Sequence, residues 1–285
     1  MNPLMFDAPR ENEFTQGTVF SCGYAEAYQT SSVYGLVITA RCDAAQEKAP
    51  MFSYIPVVSL QDWILSDGAT IIMERIGADC RNKVKNYLRE EKLSDSLLLT
   101  KELDEIYETH FKPKESEKGW EKKCLKLKTA IEDFKSNDDL IEISTKEQRR
   151  QHLTTYPAQT ECVIKELSGH KLSGFYLLRN VPMLDDSKGN FVALLREIHH
   201  IPSTLAREIV TGLTKSSWLQ RAENTASCPR FWGEDDLAAP VAKLKSPWIE
   251  HLMQNFSLLF SRIGVVDNDF NAVKKSLSSV GLGQI

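Results

Sequence analysis

An arginine, a cysteine and an aspartate stand side by side at Arg41-Cys42-Asp43, just beyond a predicted strand. Side chains at strand ends often line clefts, so this tripeptide is a candidate site. Asp43 has the chemistry of a base or a ligand, and Arg41 can bind a phosphate or carboxylate through two N–H groups. Cys42 beside a cation is a candidate nucleophile. The alternative is an ordinary turn in which Asp43 caps the backbone and pairs with Arg41.

A second candidate is the lysine-rich segment around Trp120. Lysines that bind phosphates, next to an aromatic ring that stacks on a base, are a physical route to nucleic acid. The candidate contacts for nucleic acid or a partner are Lys118, Trp120, Lys122 and Lys123. Glutamates interleave with these lysines, so the alternative is a charged helix face in contact with water.

Two adjacent histidines, His199 and His200, follow Glu197. Neighbouring residues of a strand point to opposite faces, so the two rings cannot both bind one ion without a bulge. We therefore expect no metal site. The sequence also lacks the motifs of nucleotide-hydrolysing, dinucleotide-binding, serine-hydrolase and zinc-protease sites, so we expect no cofactor.

The chain has six cysteines, and no two of them form a CxxC pair. In a chain of this length, reduced and mostly buried thiols are a better interpretation than disulfides. Cys162 together with His152 or His170 would make a nucleophile and base only if the fold brought them together. A buried thiol is the alternative.

The elements that must position these residues are short strands at both ends of a helical stretch. Runs rich in β-branched and aromatic residues predict early strands at 17–22, 33–39 and 52–58, and late strands at 174–178 and 191–195. The apolar residues at helical spacing between them include Ile72, Ile76, Cys80, Val84 and Leu88. Because helices cannot extend a strand ladder, we expect the two strand groups to pair with each other.

The strand segments resemble those of the PemK/MazF-like toxins, which have an SH3-like barrel. The similar segments are Gly17-Thr-Val-Phe20, Leu36-Val-Ile-Thr39, Ile55-Pro-Val-Val-Ser59, 194–201 and 203–213. Ser59 matches the position of the family's catalytic hydroxyl. The family's Arg-Pro pair, whose Arg takes part in RNA cleavage, corresponds to Tyr34 and Gly35 here. The resemblance therefore implies the fold rather than the cleavage reaction.

These patterns together predict an α+β fold with a small SH3-like split β-barrel. Residues 1–59 and 170–215 form the barrel core, residues 60–169 a large helical insertion, and residues 216–285 a C-terminal helical region. The apolar segment 248–256 in that last region is typical of core, and alternatively of a face that binds a partner or a second copy.

The composition narrows the class of protein. Apolar residues make up 42% of the 285 residues, which excludes wholesale disorder. The net charge of −4 does not indicate a polyanion-binding protein as a whole. No apolar run reaches the roughly 18–20 residues that span a bilayer, and we expect a cytoplasmic protein that does not act at a membrane.

The functional prediction that follows is an intracellular bacterial regulatory protein that binds nucleic acid or another protein of the same operon. The strand resemblance suggests a component of a phage-defence or toxin–antitoxin-like system. The alternative is a nucleic-acid-cleaving, toxin-like enzyme with a site near Arg41, Asp43 and Ser59. A third hypothesis is a structural subunit that forms homo-oligomers through its C-terminal helices.

Overall fold

The fold is mixed α/β, and the computed structural model describes residues 4–10, 13–42, 50–143, 145–185, 187–220 and 227–260. The strands are β1 (Phe6–Asp7), β2 (Thr18–Phe20), β3 (Val33–Val37), β4 (Met51–Ser59), β5 (Phe175–Pro182), β6 (Lys188–Leu194), β7 (His199–Pro202), β8 (Leu213–Thr214), β9 (Leu237–Ala238) and β10 (Pro240–Leu244). The α-helices are α1 (Leu60–Ile64), α2 (Asp67–Glu90), α3 (Leu97–Thr100), α4 (Leu103–Ile106), α5 (Glu121–Ile143), α6 (Lys146–Thr155), α7 (Pro157–Ser168), α8 (Ser203–Thr211), α9 (Lys215–Leu219) and α10 (Trp248–Phe260).

The main sheet is antiparallel and follows the order β1-β10-β2-β3-β4-β6-β5. The long strand β4 pairs with β7 near its start and with β6 near its end. This confirms the prediction that the early and late strand groups pair with each other. The outer strands β1 and β5 also contact each other, so the sheet curves into a nearly closed barrel.

Side chains alternate between the inside and the outside of this barrel, as the two-residue period of a strand requires. On β5, Tyr176 and Leu178 belong to the barrel core, whereas Leu177 between them packs against the helices. Val57 and Val58 of β4 divide in the same way. These strands are therefore buried on both faces, which explains why their sequences are nearly continuous runs of apolar residues.

The chain between β4 and β5 forms a helical layer that covers the outside of the sheet. Ile72 and Ile76 of α2 pack against the sheet, and Val84 and Leu88 at the far end of the same helix pack with α5. The spacing of these residues puts them on one side of α2, as the sequence pattern predicts.

The region 216–285, predicted to be helical, contains helix α10 and also contributes a strand to the barrel. β10 lies between β1 and β2, where Leu244 pairs with Phe6 and Ala242 pairs with Val19. The barrel is therefore not confined to residues 1–59 and 170–215. The physical reason is that this strand is only five residues long and gains its hydrogen-bond partners from the other end of the chain.

The last described helix, α10, packs its first half into the barrel core. Ile249 and Leu252 are buried there, and Trp248 is partly buried against it. At the other end of the helix, Leu258 and Phe260 are 56% and 55% exposed. The apolar segment predicted at 248–256 is thus largely core, and the exposed apolar surface begins where that segment ends.

Candidate anion-binding site

Ser59, a predicted catalytic residue, has a structural role as the N-cap of α1. Its hydroxyl accepts a hydrogen bond from the backbone N–H of Asp62 at 3.0 Å and lies 2.7 Å from the Asp62 carboxylate. A serine in this position satisfies an N–H group that the helix cannot bond internally. The hydroxyl is therefore engaged in local structure.

Arg41 and Ser59 lie at opposite ends of β4. Val37, the last residue of β3, pairs with Tyr54, and Arg41 lies four residues beyond that pair. Ser59 lies five residues from Tyr54 in the opposite direction along β4, and these five residues span about 16 Å. The segment from Val37 to Arg41 adds further distance. Asp43 lies outside the described residues. The structure therefore does not bring the predicted catalytic residues Arg41 and Ser59 together.

Trp120 in the lysine-rich segment is already covered by cations. The ammonium groups of Lys114 and Lys123 lie 5.1 and 4.8 Å from the centre of its ring. Lys114 pairs with Glu91, and Lys123 pairs with Glu90, both at the end of α2. This arrangement ties the segment to α2 and leaves less of the ring available for stacking on a base.

The other two predicted contacts, Lys118 and Lys122, are exposed. They lie on either side of Trp120 in the sequence and retain ammonium groups that face water. Exposed lysines of this kind bind a polyanion weakly unless further donors converge on the same phosphate. Nucleic-acid binding at this segment stays a prediction.

The two adjacent histidines make separate contacts. The Nε2 atom of His199 lies 2.6 Å from the Glu197 carboxylate, whereas the Nδ1 atom of His200 lies 3.0 Å from the Ser53 hydroxyl. Their side chains thus leave the strand on opposite faces, as expected. In the part of the chain that the structure describes, no group of three His, Cys, Asp or Glu residues is placed to hold a metal ion.

Cys162 is exposed rather than buried, and its thiol contacts Arg75 and Glu166 at 3.7 and 3.5 Å. The candidate bases are engaged elsewhere, because His152 contacts a buried asparagine and His170 stacks on a tyrosine. The predicted nucleophile–base pair with Cys162 is therefore not formed.

A cleft of about 510 Å³ lies between the start of β5, the turn after β6 and the end of α10. Its cationic side chains are His170, Lys171 and Arg196, its other polar side chains are Ser173 and Asn255, and its aromatic rings are Phe175 and Phe260. Among the described residues that line it, none carries a carboxylate. We call it the basic cleft.

A tight chain reversal positions the cationic groups of the basic cleft. The backbone after α7 takes a positive φ of 53° at His170 and of 91° at Gly174. The Gly174 carbonyl accepts a hydrogen bond from the Leu195 N–H at 2.9 Å, which ties this turn to the end of β6. A Cβ atom on Gly174 would lie 2.6 Å from Nε of Arg196, so the arginine side chain passes directly over the glycine. Only glycine leaves both the space and the backbone freedom for this arrangement.

His170, which lines the cleft, also belongs to a His–Tyr–His cluster with Tyr176 and His251. The rings of His170 and Tyr176 stack with centres 4.1 Å apart, and the His251 ring meets His170 edge-on at 5.1 Å. The Tyr176 hydroxyl lies 2.9 Å from Nδ1 of His251. The Nδ1 atom of His170 is buried and has no hydrogen-bond partner among the described residues. A buried polar atom without a partner, on a backbone in an unfavourable conformation, is typical of a functional site.

The surroundings of this cluster favour the uncharged forms of His170 and Tyr176. Burial, and next the proximity of His251 and Arg179, lowers the pKa of His170 below its usual value near 6.5. His170 is therefore neutral at pH 7. Burial also raises the pKa of Tyr176 to about 12, so its hydroxyl keeps its proton. An anion in the basic cleft would instead favour the protonated form of His170.

No family model, curated protein or solved structure matches the chain. The description of the site therefore depends on its own geometry. Within the described residues, no helix is long and apolar enough to cross a bilayer.

The sequence interpretation missed most of the basic cleft. It considered His170 only as a base for Cys162, and it did not single out Lys171, Arg196 or His251. Only a weak indication of this cleft is present in the sequence. His170 and Lys171 are adjacent basic residues shortly before Gly174, and Arg196 lies two strands further along the chain. The structure brings these groups together because β5 and β6 form a hairpin whose open end holds both.

The arrangement in the basic cleft is suited to binding rather than to nucleophilic catalysis. Arg196 can hold a phosphate through two N–H groups, and Lys171 supplies a point charge. Phe175 and Phe260 offer aromatic faces of the kind on which nucleic-acid bases stack. The described residues of the cleft thus combine the two interactions that bind single-stranded nucleic acid.

Proposed function

We propose that this chain is a nucleic-acid-binding regulatory protein, and that the basic cleft is where it holds a phosphate. The observation that carries the proposal is the convergence of His170, Lys171 and Arg196 on one cleft whose described lining has no carboxylate. Among the sites that the structure describes, this one contrasts with the Trp120 segment, where carboxylates pair with the lysines nearest the ring.

The overall charge of −4 does not oppose this proposal. The Debye length at physiological ionic strength is about 8 Å, so a phosphate in the cleft interacts mainly with the groups that line it. Single-stranded nucleic acid suits the cleft better than a duplex, because its bases are free to stack on Phe175 and Phe260.

The SH3-like topology and the biological setting are part of the same proposal. The nearly closed antiparallel barrel agrees with an SH3-like barrel in general shape, and the strand resemblance supports a cytoplasmic, bacterial phage-defence or toxin–antitoxin-like system. The alternative of a toxin-like enzyme centred on Arg41, Asp43 and Ser59 has less support, because Arg41 and Ser59 lie at opposite ends of β4.

A protein partner is the second candidate, and the exposed end of α10 favours it. Leu258 and Phe260 expose more than half of their surface next to the basic cleft. Neighbouring exposed apolar side chains are typical of surfaces that bind another protein, including a second copy of the same chain. Light scattering of the purified protein over a range of concentrations would show self-association.

Fluorescence anisotropy with a labelled single strand of about ten nucleotides tests the nucleic-acid proposal. We expect Arg196→Ala to weaken binding by about 10- to 100-fold, the effect of losing a hydrogen-bonded charge. Lys171→Ala should also weaken binding, whereas Lys128→Ala, which changes an exposed lysine of α5 outside the cleft, should not.

The same titrations contain the results that would refute the proposal. If Lys118→Ala and Lys122→Ala abolish binding while Arg196→Ala does not, the interface is at the Trp120 segment rather than at the basic cleft. If the unmodified protein binds neither single-stranded DNA nor RNA at low salt, nucleic-acid binding is wrong.

A further inference from the structure

Lys171 and Arg196 of the basic cleft supply more positive charge than one internal phosphate of a strand can neutralise. Lys171 and Arg196 carry two positive charges at pH 7, and His170 adds a third when it is protonated. A phosphodiester carries a single negative charge, whereas a phosphate monoester carries about −1.5 to −2 at pH 7. The charge of the cleft therefore matches a monoester better.

A carboxylate that interacts with Lys171 is already engaged. Glu166 of α7 lies close enough to Lys171 to interact with it electrostatically. Its two oxygens, however, accept hydrogen bonds from Arg75 at 2.9 and 2.6 Å. The charge on Lys171 is therefore only partly compensated within the protein.

The shape of the cleft also favours a compact ligand. A volume of about 510 Å³ is within the range of roughly 300–1,000 Å³ that small-molecule sites occupy. Its lining comes from residues 170–175, from Leu195 and Arg196 after β6, and from Asn255, Leu259 and Phe260 of α10. One nucleotide with its phosphate fits this volume, and Phe175 and Phe260 are among the residues that line it.

We propose that the basic cleft holds a terminal phosphate monoester, either of a free nucleotide or at the end of a strand, and that His170 takes up a proton when the monoester binds. This inference rests on the proposed function and specifies the chemical group that is bound. His170 lines the cleft, so a positive charge on its ring would lie next to the bound group, and its buried Nδ1 atom makes no hydrogen bond among the described residues that protonation would break.

Proton uptake follows from the groups around His170. The charged and titratable groups near the cleft are Tyr176 and Arg179 of β5, His251 of α10, Lys171, Arg196 and, facing Lys171, Glu166. Arg179 and His251 disfavour a charge on His170, because they repel it. A dianion in the cleft attracts the same charge, so binding shifts His170 towards its protonated form.

Isothermal titration calorimetry with matched ligands tests this inference without any change to the protein. The probes are a nucleoside 5′-monophosphate, the same nucleoside, and single strands of about ten nucleotides with and without a terminal phosphate. We expect the phosphate to strengthen binding by at least about tenfold. Repeating the titration in two phosphate-free buffers with different heats of ionisation should show proton uptake near pH 7.

His170→Asn tests the assignment of the proton. Asparagine is uncharged and tolerates a positive φ, so the turn should be retained, which circular dichroism would check. This variant should lose the proton uptake and keep part of the affinity for phosphate. His200→Asn, which changes an exposed histidine outside the cleft, is the matched control and should keep both.

The outcomes separate the inference from the function on which it rests. Tighter binding of the phosphorylated strand supports a phosphate at a strand end. If the nucleotide binds and neither strand binds, the ligand is a free nucleotide, and the proposed nucleic-acid binding is refuted. Equal binding of strands with and without the phosphate would overturn the inference and leave the proposed function intact. Absence of binding by all probes would overturn both, and proton uptake that persists in His170→Asn would overturn the role of His170.

Discussion

The close passage of Arg196 over Gly174 gives a prediction with two separable parts. Gly174→Ala places a methyl group 2.6 Å from Nε of Arg196 and on a backbone with φ of 91°. The first effect displaces the arginine from the basic cleft, and the second strains the backbone. A non-glycine residue in a left-handed conformation costs about 1–2 kcal/mol.

Gly119→Ala is a matched control for the strain alone. Gly119 has a φ of 93°, and among the described residues no atom beyond its two chain neighbours lies within 4 Å of the position where its Cβ would be. We therefore expect the two variants to lose similar amounts of stability, about 1–2 kcal/mol each. The displaced Arg196 side chain is long and exposed, so the clash at Gly174 should add little to this loss.

Binding should separate the two variants. If Arg196 contributes a charged hydrogen bond to a phosphate, Gly174→Ala should weaken anion binding by about 10- to 100-fold, and Gly119→Ala should leave it unchanged. Urea denaturation measures the first quantity, and anisotropy with a labelled oligonucleotide measures the second. If Gly174→Ala is destabilised but binds normally, the placement of Arg196 by Gly174 does not matter for the site, and this reasoning is wrong.

Three further predictions concern stability. Burial is the main cause that lowers the pKa of His170 and His152, so below about pH 6.5 the unfolded chain binds more protons than the folded one. The free energy of unfolding should therefore fall from pH 7 to pH 5, and it should fall less in His170→Asn. Tyr176→Phe removes the 2.9 Å hydrogen bond to His251, and urea denaturation should show a loss of about 1–3 kcal/mol. Asn137→Leu removes the buried partner of His152, whereas the α2 carbonyl that Asn137 also contacts keeps its bond within the helix. Thermal unfolding should therefore show a loss of about 1–3 kcal/mol for the unpaired His152 ring, and an unchanged midpoint would refute that role.

The strands that the sequence predicts correctly share one property. β3 and β4 are rich in β-branched and aromatic residues and are buried on both faces, so their composition alone separates them from helices. Residues 33–37 and 51–59 lie within or close to the predicted ranges for this reason. Local composition suffices where burial makes every position of a strand apolar.

β10 shows where local composition fails. Its five residues begin with Pro240 and include Lys243, so the segment lacks both the length and the apolar continuity of β3 and β4. It is a strand because β1 and β2 supply hydrogen-bond partners on both of its edges. That information lies at the other end of the chain and not within any window around residues 240–244.

The basic residues of the chain depend in the same way on contacts between segments that are distant in the sequence. Lysines cluster around Trp120 in the sequence, but the fold pairs Lys114 and Lys123 with glutamates of α2, which reduces the local potential. In the basic cleft, Lys171 and Arg196 are far apart in the sequence, but the β5–β6 hairpin brings them close together in space. A polyanion responds to charges that converge within a Debye length in space, about 8 Å at physiological ionic strength. A count of lysines along the chain therefore predicts a binding surface only when the fold leaves those lysines without acidic neighbours.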